Sequence, residues 1–326
     1  MRKKTNAQLD LWTRIARWCY RKAPLLFTKV PDIYRDKVPA HVRRPLNAYG
    51  QLMRIDRPIG VYLLLWPTLW ALLLASDGAP NLSLIVIFTL GTFLMRSAGC
   101  VINDIADRNF DGKVKRTKNR PLARGTASVQ EALGLFIALS LCAFALVLTL
   151  NLFTVALSFG AILIASIYPF MKRHTYFPQV ILGAAFAWSI PMAYGAVEGE
   201  VPIEAWLMYL STLMWVLAYD TFYGMVDRKD DLKLGIKSTA ILFGDADLPI
   251  IAVIQTFFIF GMLLLGVRLE LTWPYYVGLL CAVCLMAYQF WITRKRNPEQ
   301  CFKAFLNNNY VGLIILLGMI GHYATR

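Results

Sequence analysis

The chain has 326 residues, of which 57% are hydrophobic and only 17% charged, and its mean hydropathy is +0.50. A soluble globular protein carries nearer a quarter charged residues, so an ordinary water-soluble fold is excluded. The formal net charge of +14 would indicate nucleic acid in a soluble chain. Here the basic residues fall between apolar runs, without a zinc-finger spacing or a stacking-rich basic patch, so the expectation is no nucleic-acid partner but contact with anionic lipid headgroups.

Residues 1–50 are polar and basic. Leu11, Trp12, Ile15 and Trp18 alternate with Arg14, Arg17 and Arg21, a pattern expected of an interfacial amphipathic helix. A loosely ordered basic tail fits the same residues. No cleavable secretory signal is evident, and the segment is poor in serine for a mitochondrial presequence. These residues are read as a cytoplasmic extension, and 51–326 as the transmembrane domain.

Nine apolar runs follow, at about 58–76, 82–103, 130–149, 151–170, 177–197, 203–224, 248–267, 272–292 and 305–323. Each approaches the roughly 20 helical residues needed to cross about 30 Å of hydrocarbon. The expected fold is all-α and integral to the membrane. The very short links between runs three and four, and between seven and eight, predict tight helical hairpins. With the N-terminus in the cytoplasm, 31 of the 34 Lys and Arg residues fall on cytoplasmic segments, which the positive-inside rule requires. The exceptions are Arg96, Arg268 and Arg326. Glu198, Glu200 and Glu204 lie on the opposite side.

Two cytoplasmic segments are acidic. Asn103, Asp107 and Asp111 follow the second run at intervals of four, and Asp227 and Asp231 follow the sixth, with Tyr223 one turn earlier. On a helix, i and i+4 share a face, and like charges there repel unless a cation compensates. Hard oxygen ligands suit Mg²⁺, which shares its shell with substrate phosphates. Each cluster leads into basic residues: Lys113, Lys115, Arg116 and Arg120 after the first, Lys233 and Lys237 after the second. Recurrence four spans apart reads as two four-helix pseudo-repeats whose loops meet over one cavity. A third basic site, Tyr168-Pro169-Phe170-Met171-Lys172-Arg173, ends the fourth run. Carboxylates beside cations at one mouth suit a diphosphate, and apolar helices beneath suit a lipidic tail. The six cysteines, Cys281 and Cys284 among them, lie mostly in apolar runs and read as small buried residues.

The sequence resembles the UbiA superfamily of intramembrane aromatic prenyltransferases over about residues 50–323. Four blocks carry the resemblance: RIDRPIG from Arg54, NDIADRNFDGKVKRTKNRPL from Asn103, YPFMKRHTYFPQ from Tyr168 and YDTFYGMVDRKDDLKLGIKST from Tyr219. It implies nine helices around a central cavity under a cytoplasmic cap. The donor it implies is polyprenyl diphosphate and the acceptor 4-hydroxybenzoate, with Mg²⁺ as cofactor. By motif position the metal ligands are Asn103, Asp107, Asp111, Asp227 and Asp231. Lys172 and Arg173 are catalytic with the aspartates, and Arg57, Arg108, Lys115, Arg116, Arg120, Tyr168 and Tyr223 bind substrate. Gly224 departs from the pattern, since relatives often have alanine there. Another quinone precursor of the homogentisate or dihydroxynaphthoate type is the alternative acceptor. A transporter is the rival class, disfavoured because ion pathways place their acids near the bilayer middle. The expected location is the bacterial inner membrane, with the mitochondrial inner membrane also compatible.

Overall fold

The structure is a computed structural model that describes residues 39–112 and 117–326. The expected interfacial helix near residues 11–21 lies outside the described residues. Chain contacts separate residues 1–49 from Gly50–Arg326, and the second unit contains the cavities described below.

The described elements are all helical. α1 (Ala40–Leu52), α2 (Ile59–Ala75), α3 (Leu82–Asp111), α4 (Val129–Val147), α5 (Leu152–Met171), α6 (Pro178–Ala187) and α7 (Ser189–Glu198) come first. α8 (Ile203–Leu234), α9 (Thr239–Phe243), a 3₁₀ turn at Gly244–Ala246, α10 (Asp247–Arg268), α11 (Trp273–Thr293) and α12 (Pro298–Thr325) complete the chain. Among the described residues, seven helical segments are long and apolar enough to cross a membrane, with α6 and α7 forming one of them. The shorter apolar α2 accounts for the first expected span. α8 contains the sixth expected span, and its polar residues Ser211, Thr212 and Thr221 are buried. The protein is a multi-pass membrane protein.

Helix starts follow local chemistry. The Asn81 side chain accepts from Ser83 N at 2.9 Å, and Asn151 accepts from Thr154 N at 2.8 Å. Ser128 and Glu131 form a reciprocal capping box, which satisfies two otherwise unpaired N–H groups. Pro178 and Pro298 open their helices, where a missing N–H costs nothing. Gly235, with φ of +69°, ends α8 in the left-handed conformation that glycine adopts without a Cβ clash.

Neighbouring helices close a ring: α2 packs on α3, α3 on α5, α5 on α6, α6 on α8, α8 on α10, α10 on α11, α11 on α12, and α12 returns to α2. The short link between α4 and α5 does not make the tight hairpin expected from it. α4 packs chiefly along α3 and touches α5 little, because an apolar cavity lies between them, lined by Ala143, Val147, Ala161 and Ala165.

α3 and α8 are the long members, with 30 and 32 residues. At 1.5 Å per residue they span about 45 and 48 Å, well beyond about 30 Å of hydrocarbon. The acidic segments are therefore the last turns of two overrunning helices rather than loops. Carboxylates at a helix C-terminus oppose the helix dipole, so cations from elsewhere in the fold must offset them.

Candidate active site

A cavity of about 720 Å³ opens between the ends of α2, α3, α5, α6, α8 and α12 that carry the acidic segments. Asn103, Asp107 and Asp111 line one wall and Asp227 and Asp231 another. The two acidic segments, more than a hundred residues apart in sequence, thus face one space.

The offsetting cations converge on the first cluster. Lys172 donates from Nζ to Asp107 and, at 3.4 Å, to Asn103 Oδ1. Arg120 Nη1 donates to both Asp111 oxygens at 2.9 and 3.0 Å and lies 3.1 Å from Asp104 Oδ1. Arg54 Nη2 donates to the Asp104 carboxylate at 2.7 and 2.9 Å. Asp104 is fully buried, and a buried carboxylate persists only when paired. Arg54 holds φ at +57°, a backbone strain of about 1–3 kcal/mol sustained where its guanidinium is locked onto Asp104 and, at 2.6 Å, onto the Gln51 carbonyl.

The remaining expected residues divide. Tyr168, Tyr223 and Arg57 line the cavity. Arg57 stands at its exposed rim, 3.4 Å from Asp56. Arg173 does not line it. Its guanidinium bonds the Ala106 carbonyl behind α3 and lies 5.4 Å from the Phe110 ring centroid. Arg108 donates to the Ile105 carbonyl at 2.9 Å on the outer face. Lys115 and Arg116 lie outside the described residues.

Several groups were not marked by sequence reasoning. Arg54, Asp104, Arg96, Asp220 and Gln179 all line the cavity. Beside the second cluster, the fully buried Asp247 accepts from Arg228 and, at 2.9 Å, from Arg296 Nε. The segment after Asp231 is tied down by Lys237 N to Lys172 O at 2.9 Å and Thr239 N to Gln179 Oε1 at 3.1 Å. The signal for Asp104 was its adjacency to Asn103, and for Arg96 its place as a charge inside an apolar run.

The donor set can be tested against a divalent cation. All five expected ligands are oxygen donors, the class that hard cations require. Asp107 Oδ1 is buried and has no hydrogen-bond partner, an expensive condition for a carboxylate oxygen that a bound cation relieves. Among the described residues no three Asp, Glu, His or Cys side chains already converge as a metal cage. That agrees with a cation held partly by substrate oxygens, and the residues fit.

Below this polar chamber Arg96, Gly99, Tyr168, Leu182 and Phe186 also border the second cavity, of about 150 Å³, between α3, α4, α5 and α6. Its lining is otherwise almost wholly apolar. Phe186, Tyr219, Phe302 and Phe305 line the polar chamber itself.

A charged head site over an apolar arm, inside a ring of spanning helices, defines a membrane enzyme that handles a lipidic anion. The UbiA prenyltransferase family matches residues 64–311, and the chain belongs to that family. The 4-hydroxybenzoate octaprenyltransferase of Pseudomonas syringae pv. syringae (strain B728a) is 57% identical over 276 residues, 85% of this chain and 93% of its own length. The apo structure of a UbiA homolog from Aeropyrum pernix K1 has a TM-score of 0.72 at 24% identity, covering 80% of this chain and 97% of that one. A UbiA homolog from Archaeoglobus fulgidus bound to GPP and Mg²⁺ has a TM-score of 0.62 at 18% identity, covering 84% and 99%. The last two are likenesses of fold.

Proposed function

We propose that the chain transfers a polyprenyl group from polyprenyl diphosphate to the ring carbon ortho to the hydroxyl of 4-hydroxybenzoate, releasing diphosphate, as a step of ubiquinone biosynthesis. The reading is carried by one observation: two acid-bearing helix ends face a single cation-lined chamber that continues into an apolar arm. The 57% identity to a 4-hydroxybenzoate octaprenyltransferase supports the acceptor. Residues 51–326 form the transferase unit, at the bacterial inner membrane with the acidic helix ends on the cytoplasmic side, as the distribution of Lys and Arg supports.

Asn103, Asp107, Asp111, Asp227 and Asp231 would hold Mg²⁺. Bound there, Mg²⁺ would supply positive charge that offsets the negative charge of the leaving diphosphate. Lys172 and Arg120, already inside the chamber, provide fixed positive charge where that negative charge develops. Breaking the allylic C–O bond leaves a carbocation, and the aromatic residues Tyr223, Phe302 and Phe305 line the chamber where it forms, a residue class whose ring faces stabilise cations. The cation adds to the ring carbon beside the phenol, and loss of the proton from that carbon restores aromaticity. The rest of the prenyl chain runs along the apolar arm.

The test uses purified protein in lipid nanodiscs with labelled 4-hydroxybenzoate, a series of polyprenyl diphosphates and Mg²⁺. Prenylated 4-hydroxybenzoate is the expected product. Asp107→Ala and Asp227→Ala should each abolish its formation, and full activity in both would reject the assignment.

A further inference from the structure

α12 carries three consecutive asparagines, Asn307, Asn308 and Asn309, inside a helix long and apolar enough to cross the membrane. Asparagine is a poor helix former because its amide competes for backbone hydrogen bonds, and an unpaired amide away from water is expensive. Successive residues of a helix point about 100° apart, so the three amides leave α12 in three directions. Each Oδ1 accepts from a different helix. Gln289 Nε2 on α11 donates to Asn307 at 2.9 Å, and Gln289 accepts in turn from Gln255 Nε2 on α10 at 3.1 Å. Trp215 Nε1 on α8 donates to the fully buried Asn308 at 2.9 Å. Trp66 Nε1 on α2 donates to the buried Asn309 at 2.9 Å. The Trp66 ring has a seat on α12, since a Cβ at Gly312 would overlap it.

Apolar burial is non-directional, whereas a hydrogen bond weakens steeply away from its axis. The fan of amides therefore fixes the rotation of α12. What that rotation decides lies one turn away. Phe305 precedes Asn309 by four residues, on the same side of the helix. It is buried, lines the chamber, and stands 4.8 Å from the Tyr223 ring centroid and 5.9 Å from that of Tyr219. Neither Asn309 nor Trp66 lines the chamber, so any effect of theirs on the reaction runs through α12.

Resting on the prenyl-transfer reading above, we propose that Asn309, anchored by Trp66, is a positioning residue that holds Phe305 in the chamber wall and so decides the fate of the allylic cation. When the C–O bond breaks, its electron pair leaves with the diphosphate. The cation then has two possible captors. The ring carbon of 4-hydroxybenzoate forms a C–C bond and releases the ring proton, giving the prenylated acid. Water forms a C–O bond and releases a proton, giving polyprenol. Phe305 beside Tyr223 excludes water from one side of the cation and stabilises it. Turning α12 withdraws Phe305 and admits water.

The experiment is a single turnover in lipid nanodiscs with labelled polyprenyl diphosphate, 4-hydroxybenzoate and Mg²⁺, measuring prenylated acid against polyprenol. Asn309→Leu removes the acceptor and Trp66→Phe the donor, the latter keeping an aromatic ring. Each should raise the polyprenol share at least about fivefold, as expected for the loss of one hydrogen bond, with the donor KM unchanged within about twofold. The double variant should go no further than either single one, because both remove the same bond. Phe305→Leu should reproduce the leak. Leu316→Ala, a buried α12 change outside this bond set, should lower Tm and leave the product ratio alone. An unchanged ratio in both single variants, an additive double variant, or an equal leak in Leu316→Ala would each overturn the proposal. If Asn309→Leu does not fold, Trp66→Phe decides. A wild type that forms no prenylated acid would remove the underlying reading as well. A wild type that forms it, with a product ratio insensitive to Asn309 and Trp66, would remove the positioning role alone.

Discussion

Replacing Asp247 with alanine probes how the second acidic helix end is held in place. Asp247 opens α10, is fully buried, and accepts from Arg228, from Arg296 Nε at 2.9 Å and from Leu248 N at 2.7 Å. Arg228 follows Asp227 directly on α8, so this carboxylate ties the acidic end of α8 to the turn between α11 and α12. Removing one partner of a buried ion pair costs about 3–5 kcal/mol, because the other charge is left uncompensated. Arg296 is about a third exposed and water relieves part of its loss, so the lower end, about 3 kcal/mol, applies. For a chain of this size that corresponds to a fall in Tm of about 4–5 °C. The assay is thermal unfolding of the purified protein in detergent, run beside a Mg²⁺ titration of prenyl transfer. The half-saturating Mg²⁺ concentration should rise as Asp227 loses its fixed position, while Asp247→Asn, which retains an acceptor oxygen, should recover part of both effects. An alanine variant with wild-type Tm and wild-type Mg²⁺ response would refute the idea that this buried carboxylate positions the cluster.

Three further outcomes follow from the geometry. Lys172→Ala removes a cation that lines the chamber and should lower kcat by about 10²-fold or more, whereas Arg173→Lys, acting through the Ala106 carbonyl behind α3, should lower it by less; steady-state kinetics of the pair would show the order, and the reverse order would refute it. Ala165→Phe fills the apolar arm and should reduce kcat/KM for long polyprenyl diphosphates more than for short ones, a comparison read directly by varying the donor. Gly224→Ala places a Cβ 3.2 Å from Ala240 Cβ and 3.6 Å from Gln179 Nε2, contacts relieved by moving the Ala240 backbone a few tenths of an ångström, so activity should stay within about threefold and Tm within a few degrees.

The helical spans and the two acidic clusters were legible in the sequence because they rest on local rules. Hydrocarbon thickness sets the length of an apolar run, and a helical period of 3.6 places Asn103, Asp107 and Asp111 on one face without reference to any other part of the chain. The family resemblance was legible for a related reason: each of its four blocks is contiguous in sequence. Helix ends were less so. α3 runs past its apolar stretch with Lys172 and Arg120, from distant segments, neutralising its acidic last turns, and no local signal records that.

Only the tertiary structure decided which charges meet. Arg54 reaches Asp104 across fifty residues, Arg296 reaches Asp247 across forty-nine, and Lys172 rather than Arg173 enters the chamber. Adjacent residues at a helix end point in different directions, so the Lys172-Arg173 dipeptide cannot by itself say which side chain faces inward; the packing of α5 against α3 and α6 does. The same holds for the floor of the chamber. Arg96 in sequence is a lone charge in an apolar run, and its place on the chamber wall depends on Gly60, on another helix, where a Cβ would overlap its guanidinium.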